Sequence, residues 1–233
     1  MKRLFTLAAA TCLLAANALA LPGLEISAGG FLGSYKPSLK TLNEKVLLYD
    51  HQTSIGSALQ FGGRLMLGLP LGLGGGIDLG YWSQTKEWND DQLDQNTVKV
   101  KLMPLDFFVQ YSMPIVPMVL KGKAGASVGN VQANLDISET RINQWSHYWN
   151  SEGSTSTFGL FSGLDLVVLP KINISAEAGY RMGEVDRLTI KSSHEPDQVN
   201  DILEYYDHDK DQVLPLPMEL NGISTKLVIT YVF

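Results

Sequence analysis

The sequence predicts an all-β protein, an eight-stranded antiparallel up-and-down transmembrane β-barrel. Segments in which apolar residues alternate with polar or small ones recur along the 233 residues. Mean hydropathy is near zero (+0.01), and no apolar run after residue 20 approaches the roughly 18 to 20 residues of a membrane-spanning helix. Because only helices and closed barrels satisfy every backbone polar group in lipid, a membrane protein with this pattern must be a barrel.

Residues 1–20 are typical of a cleaved secretory signal. Lys2 and Arg3 precede an apolar run, and Ala18-Leu19-Ala20 supplies a small-x-small cleavage pattern. Cys12, the single cysteine, lies in this segment, so the mature chain has neither a disulfide nor a thiolate metal site. Removal of 20 of the 233 residues leaves 213 and, with Lys2 and Arg3 gone, changes the net charge from −6 to −8. Nucleic acid is therefore disfavoured as a partner.

The remaining residues, 21–233, form a single predicted domain, because no linker rich in Pro, Ser or Gly divides them. Strand seven shows the alternation best, with Ile172, Ile174, Ala176, Ala178, Tyr180 and Met182 on one face and Asn173, Ser175, Glu177, Gly179, Arg181 and Gly183 on the other. One face suits lipid, whereas the other suits a polar interior.

The same alternation defines the other seven strands in order. Their apolar faces are Leu24, Ile26, Ala28 and Leu32; Leu59, Phe61, Leu65 and Leu67; Ile77, Leu79 and Tyr81; Phe107, Val109 and Tyr111; Leu120, Ala124, Ala126 and Val128; Phe158, Leu160, Leu164 and Leu166; and Leu227, Ile229, Tyr231 and Phe233. In the fourth strand the apolar parity switches between Leu102 and Leu105. Since proline cannot donate to a ladder, the switch predicts a β-bulge around Pro104.

The connections predict the orientation of the barrel. Three connections are short and contain proline: residues 69–71, 113–118 and 169–171. The other four connections are longer and polar, and they span about 36–56, 88–96, 134–155 and 184–218. Short turns and both termini on one rim, with longer loops on the other, are typical of bacterial membrane barrels.

A soluble eight-stranded barrel such as a lipocalin is the alternative architecture. A lipocalin turns its apolar face inward, but here the mixed face is rich in glycine and charge. Aromatic residues lie on the apolar face near many strand ends, as the two membrane interfaces favour. These residues are Phe61, Tyr81, Phe107, Tyr111, Phe158, Tyr180, Tyr231 and Phe233.

The terminal strand, with Leu227, Ile229, Tyr231 and Phe233 on one face, resembles the sorting signal of bacterial outer-membrane β-barrels. Segments 61–65, 76–81 and 176–184 resemble the small eight-stranded outer-membrane barrels that include the OmpA transmembrane domain, OmpX and OmpW. The resemblance covers essentially all of residues 21–233. It implies an integral protein of a Gram-negative-type outer membrane, with extracellular long loops and periplasmic termini.

The partners that this resemblance implies are outer-membrane lipid and lipopolysaccharide, the barrel assembly machinery and periplasmic chaperones. No cofactor is expected. The resemblance specifies architecture far better than activity.

Acidic and basic residues are nearly matched in number on the predicted inner face. They are Glu25, Arg64, Asp78, Asp106, Lys121, Lys123, Asp165, Glu177, Arg181 and Lys226. Unpaired ions in a narrow lumen carry a large desolvation cost, which favours a structural network of ion pairs with Arg64, Asp78, Asp165, Glu177 and Lys226 near its middle. The alternative is a narrow, porin-like channel for ions or small solutes, with these groups setting its selectivity.

The longest loop is acidic, and Asp207, Asp209 and Asp211 in it follow the spacing that opens a calcium loop. Its sixth position is Gln212 rather than Gly and its twelfth is Met218, so an EF-hand is not supported. A solvated loop that attracts divalent cations at the lipopolysaccharide surface is the favoured interpretation.

Aromatic residues in the third loop, Trp145, His147, Tyr148 and Trp149, suit either the membrane interface or an extracellular ligand. An enzyme that modifies lipid A is a further hypothesis. The four histidines, His51, His147, His194 and His208, lie in predicted loops, and Ser193-His194-Glu195 has suitable residue types. Adjacency alone does not make a triad, so no catalytic residue is assigned and a non-enzymatic structural or surface-interaction role is favoured.

Overall fold

The computed structural model describes residues 24–47, 54–89, 94–141 and 145–233. The predicted signal segment, Cys12 and His51 lie outside the described residues. Within those four ranges, no helix is long and apolar enough to span a membrane.

Antiparallel strands make up nearly all of the regular structure. They are β1 (Glu25–Pro37), β2 (Ala58–Gly68), β3 (Leu73–Trp88), β4 (Asp94–Val116), β5 (Leu120–Arg141), β6 (Trp145–Leu169), β7 (Ile172–Met182), β8 (Glu184–Val185), β9 (Thr189–Ser193), β10 (Glu204–Asp207), β11 (Gln212–Pro215), β12 (Met218–Glu219) and β13 (Gly222–Val232). A π-helical turn spans Leu42–Leu47, and short 3-10 turns span Pro70–Gly72 and Pro196–Gln198.

Strands β1 to β7 and β13 form a closed ring. Each of β1 to β6 pairs with the next strand along the chain, and β13 pairs with both β7 and β1. The predicted eight-stranded up-and-down barrel is confirmed.

Three tight connections lie at one end of the ring, beside the start of β1 and the end of β13, and this end is called the short-turn rim. One of them is Pro70–Gly72, in which Leu71 and Gly72 have φ angles of 67° and 81°. A Cβ at position 72 would lie 2.0 Å from the backbone oxygen of Ser112, so the turn requires glycine there. The opposite end is called the long-loop rim.

The half of the barrel nearer the short-turn rim exposes an apolar belt. Large side chains project outward from every strand of the ring and are half or more exposed at many positions, as Val109 is at 67%. The eight aromatic residues predicted for the outer face lie there, and Phe61 packs against Tyr81 with ring centres 5.4 Å apart. A continuous exposed surface of this kind requires hydrocarbon around it, so the soluble-barrel alternative does not fit.

The inner face of the wall changes from polar to apolar towards the long-loop rim. In β4, the inward side chains Asp106 and Gln110 are buried in the lower lumen. Val98 and Val100, which also point inward, are buried above them. The outward neighbours at these upper levels include Lys101, which pairs with Asp136 of β5 at 2.8 Å. The upper wall is therefore polar outside and apolar inside.

This reversal explains why the predicted β-bulge at Pro104 is wrong. Leu102 pairs with Trp82 and Leu105 pairs with Leu79, so the β3–β4 register is the same on both sides of Pro104. The β4–β5 register also runs through Pro104 without a shift. The apolar parity switches because the surroundings of the strand change, not because a residue is inserted.

The predicted loop 134–155 is strand throughout its described residues, 134–141 and 145–155, which is a second correction. Strand β5 continues to Arg141 and β6 begins at Trp145, and their pairing runs to these residues. Their alternation is inverted relative to the lower barrel. A search for outward apolar residues therefore could not identify these segments as strands.

The connections at the long-loop rim fold back into the upper barrel and form a cap, defined as residues 38–47, 54–57 and 183–221 with the upper wall around them. The buried apolar residues of this cap are called the cap core. They are Tyr35, Leu39, Leu42, Leu47, Ile55, Trp82, Val98, Val100, Leu102, Val131, Ala133, Leu135, Val185, Leu188, Ile190, Leu203, Leu216, Met218 and Leu220.

Hydrogen bonds hold the cap and the wall together, both within each part and between them. The Tyr35 hydroxyl donates to the Leu220 carbonyl, and Trp82 Nε1 donates to the Tyr35 carbonyl at 2.9 Å. The Thr41 backbone N–H donates to both carboxylate oxygens of Glu219, each at 3.1 Å. Distant parts of the chain are therefore fixed against one another at this rim.

The reversal of the inner and outer faces predicts that the same substitution has very unequal effects on stability at two adjacent positions. Val98→Asn places an amide in the cap core, where Val98 is 0% exposed, and we expect it to lower the free energy of unfolding by about 2–4 kcal/mol. Lys99→Asn, on the outer face, should change it by less than about 0.5 kcal/mol. Urea unfolding of both variants in lipid vesicles measures the difference, and equal effects would contradict the reversal.

Candidate functional site

Arg64 of β2 lies at the centre of the lower lumen between two carboxylates. Its Nε and Nη2 donate to Asp78 of β3 at 2.6 and 2.8 Å. Its Nη2 also donates to Glu177 Oε2 of β7 at 3.0 Å, and its Nη1 donates to the other oxygen of that carboxylate. Because β2 and β7 are not neighbours in the ring, Arg64 links the barrel wall across the lumen.

Lysines extend this arrangement on both sides. Lys226 Nζ lies 2.7 Å from Asp78 Oδ2, and Lys123 Nζ lies 2.7 Å from Glu177 Oε1. Lys123 Nζ also lies 2.5 Å from Asp165 Oδ1, as an ion pair without hydrogen-bond geometry.

A separate pair, Arg181 with Asp106, lies beside this chain of ions. Asp106 is directly opposite Asp78 on the neighbouring strand, where two carboxylates would repel each other without cations beside them.

Together these ion pairs contain eight residues, which are called the lumen network. Its four cations are Arg64, Lys123, Arg181 and Lys226, and its four anions are Asp78, Asp106, Asp165 and Glu177. The net charge of the network is therefore zero, which limits the desolvation cost of burying so many ions. Glu25 and Lys121, the other two residues of the predicted set, lie near the short-turn rim, and neither makes an ion pair within the described part of the chain.

Aromatic rings pack under three of the cations. The Arg64 guanidinium lies 4.6 Å from the centre of the Phe108 ring, Lys226 Nζ lies 4.5 Å from that of Phe31, and Arg181 lies 5.4 Å from that of Tyr35. Such contacts stabilise a desolvated cation. Phe31 was not among the predicted lumen residues, although its inward parity in β1 was a usable signal.

The aromatic rings also occupy the space that inward glycines leave. A Cβ at Gly62 would lie 2.4 Å from the Phe31 ring, and one at Gly125 would lie 2.5 Å from the Phe161 ring. A cavity of about 40 Å³ lies between Arg64, Phe108 and the neighbouring side chains. That volume holds only a few water molecules, since one needs about 10–15 Å³.

The weak metal candidates lie at the tip of the β10–β11 hairpin, where lysines contact them. Lys45 Nζ lies 3.5 Å from Asp207 Oδ1 and pairs also with Asp209, while Asp211 accepts a hydrogen bond from the Tyr206 hydroxyl. Within the described residues, no group of three His, Cys, Asp or Glu side chains could hold a metal ion.

The pKa of Asp207 reflects these contacts. Burial acts to raise it, but the Asp209 backbone N–H and the Lys45 ammonium together hold the pKa below its ordinary value. The carboxylate is thus held in its charged form and ties the hairpin to the Leu42–Leu47 turn.

The predicted third-loop aromatics lie on the upper part of β6 rather than in a loop. His147 stacks on His194 with ring centres 4.0 Å apart, and Trp149 stands edge-on to His194 at 5.2 Å. Trp149 Nε1 donates to Gln198 Oε1 at 2.9 Å. The side chain of Trp145 lies outside the described residues.

Ser193, His194 and Glu195 are in contact, but they carry no catalytic assignment. Ser193 Oγ lies 3.5 Å from His194 Nδ1, and it donates to Gln198 Oε1 at the shorter distance of 2.9 Å. Glu195 Oε1 lies 3.5 Å from His194 Nε2. Ser193 is 7% exposed and its hydroxyl is already engaged, so the group is explained as a brace for the cap.

Comparison with known proteins identifies the fold. No protein-family model matches the chain, and no curated protein sequence matches it. The solved structure of a major outer membrane protein from Thermus thermophilus superposes with a TM-score of 0.51 at 14% identity, over 90% of this chain and 99% of that one.

Two further solved structures align over similar lengths. Neisserial surface protein A gives a TM-score of 0.45 at 14% identity, over 90% of this chain and 96% of its own. OprG from Pseudomonas aeruginosa gives 0.45 at 12% identity, over 91% and 96%. At such identities the Thermus structure shows the shared barrel fold and nothing of activity.

The lumen network predicts a large cost for removing one charge. Glu177→Gln keeps the side-chain size but leaves Arg64 and Lys123 short of an anion, and we expect it to lower the free energy of unfolding by about 3–5 kcal/mol. Urea unfolding in lipid vesicles, followed by tryptophan fluorescence, measures the loss.

A double variant separates charge imbalance from lost packing. Glu177→Gln with Arg64→Met removes one anion and one cation together and leaves Lys123 with Asp165, Lys226 with Asp78 and Arg181 with Asp106. We expect it to recover at least about 1 kcal/mol relative to Glu177→Gln alone. A double variant no more stable than the single one would contradict the balanced-network interpretation.

Proposed function

We propose that this chain, which has the fold of the small outer-membrane β-barrels, is an integral outer-membrane protein whose closed barrel anchors a folded cap for contact with surface partners. The observation that carries the proposal is that two packed layers lie in series along the barrel. The lumen network fills the lower interior, and the cap core packs inside the upper wall.

The filled interior favours an anchor over a channel. Eight strands enclose about the space that side chains fill. Ions crossing the lumen would have to displace paired charges and then pass the apolar side chains of the cap core. A porin-like channel is therefore the less favoured function.

The cap supports an interaction role because it is built as a folded unit. A loop that served only to connect strands would need neither a buried core nor the Tyr35, Thr41 and Lys45 contacts that fix it. Mutually fixed surface groups lose less entropy when a partner binds. The ligand of the proposed cap surface is extracellular. The described residues contain no assembled catalytic group that would support a lipid A-modifying activity.

The proposed orientation places the long-loop rim outside the cell and the short-turn rim in the periplasm. The apolar belt then contacts outer-membrane lipid and lipopolysaccharide. Leu227, Ile229, Tyr231 and Phe233 project outward from the end of the barrel at the short-turn rim, which suits a sorting signal recognised by the barrel assembly machinery. Periplasmic chaperones would hold the apolar chain before insertion.

Conductance tests the closed anchor. We expect the refolded protein to give no discrete current steps in a planar bilayer, and the Arg64→Ala variant to be equally silent because the cap core remains. A sixteen-stranded porin in the same bilayer is the positive control. Reproducible steps that Arg64→Ala alters would make the protein a channel and reject the anchor.

Single-cysteine labelling tests the orientation. Lys210, whose side chain is 62% exposed, lies at the long-loop rim, and the exposed Lys171 lies at the short-turn rim. We expect a membrane-impermeant maleimide to label Lys210→Cys in intact cells and Lys171→Cys only after the outer membrane is permeabilised. The opposite result would invert the proposed topology.

A further inference from the structure

The cap contains a cavity of about 700 Å³ that the cap core does not fill. This lies within the range of about 300–1,000 Å³ that is typical of small-molecule sites. It opens between the Leu42–Leu47 turn, the upper ends of β3, β5 and β6, and the segment that follows the Pro196–Gln198 turn.

The cavity walls are mainly apolar and aromatic. Val46, Ile137 and Ile202 supply aliphatic surface, and two indoles, Trp88 and Trp149, line it as well. The Trp149 ring is held by its hydrogen bond to Gln198 and by its edge-on contact with His194. An aromatic wall held in place in this way is suited to an apolar or aromatic body and to a cation above a ring face.

The charged residues in the described lining of this cavity all have one sign. Glu139, Asp201 and Glu204 line it, and its described lining includes no lysine or arginine. Lys45, next to Val46 in sequence, directs its ammonium to Asp207 and Asp209 instead. The cavity thus combines an apolar interior with carboxylates that have no basic counterpart among its described lining residues.

From this combination we infer that the cavity binds a small organic cation, an ammonium group carried on an apolar or aromatic body. The body packs against Val46, Ile137 and the indoles, and the ammonium group lies between Asp201 and Glu204. The inference rests on the proposed function, because it assigns a ligand class to the cap. An anion would be repelled by the carboxylates of Glu139, Asp201 and Glu204.

A matched pair of probes tests the charge requirement. Phenylbutylamine and phenylbutanol have similar shape and differ in charge, and their binding to the protein in lipid nanodiscs is followed by tryptophan fluorescence at low salt. Empty nanodiscs correct for partition into lipid. We expect the amine to bind at least about fivefold more tightly than the alcohol, as a cation above an aromatic face and beside carboxylates should.

Two double variants test the location. Asp201→Asn with Glu204→Gln should abolish the preference for the amine, whereas Asp186→Asn with Asp197→Asn, which removes two exposed charges from the same segment outside the cavity lining, should keep it. Heat-modifiable migration on gels checks that each variant is folded. Equal binding of the two probes to the parent protein, no binding of either, or equal loss in both variants would overturn the inference.

The outcome is separable from that of the proposed function. A protein that stays silent in the bilayer and is labelled at Lys210→Cys but does not prefer the amine rejects only the ligand assignment. A protein that prefers the amine through Asp201 and Glu204 but conducts rejects the closed anchor and leaves the cavity assignment standing.

Discussion

The structure depends on the burial of Arg64 between Asp78 and Glu177. An eight-stranded barrel has too little space to hydrate charged side chains, so each buried ion must find its counterion on another strand. Meeting that requirement joins β2, β3 and β7, and through Lys123 and Lys226 also β5 and β13. The polar interior therefore acts as a brace across the barrel, and the filled lumen follows from the same constraint.

The barrel wall passes through two solvents and changes its composition accordingly. In the apolar belt, lipid lies outside and the inner face carries the ions. Above the belt, water lies outside, so polar residues such as Lys101 and Asp136 face outward while Val100 and Leu135 face a protein core. One continuous β-sheet thus contains a membrane barrel below and the wall of a water-exposed domain above.

Much of this fold could be predicted from alternation alone, because a period of two is strong wherever one face meets lipid. The inner-face positions of Arg64, Asp78 and Glu177 followed from the same parity. The upper strands could not be identified in that way, since their alternation is inverted and is set by the cap segments that pack inside them. The cavity beside Trp149 depends on contacts between residues far apart in sequence, and no local pattern encodes it.

The long-range contacts of the cap have a consequence for the order of folding. Tyr35 and Leu220, which are hydrogen-bonded, are 185 residues apart, and Thr41 and Glu219 are 178 apart. Because Tyr35 lies in β1 and Leu220 directly precedes β13, these contacts require the first and last strands of the ring to lie side by side. Contacts of such high sequence separation form slowly. An ordered cap at the surface would therefore report that the barrel beneath it has closed, and a chain with an incomplete ring would display only loose, apolar segments.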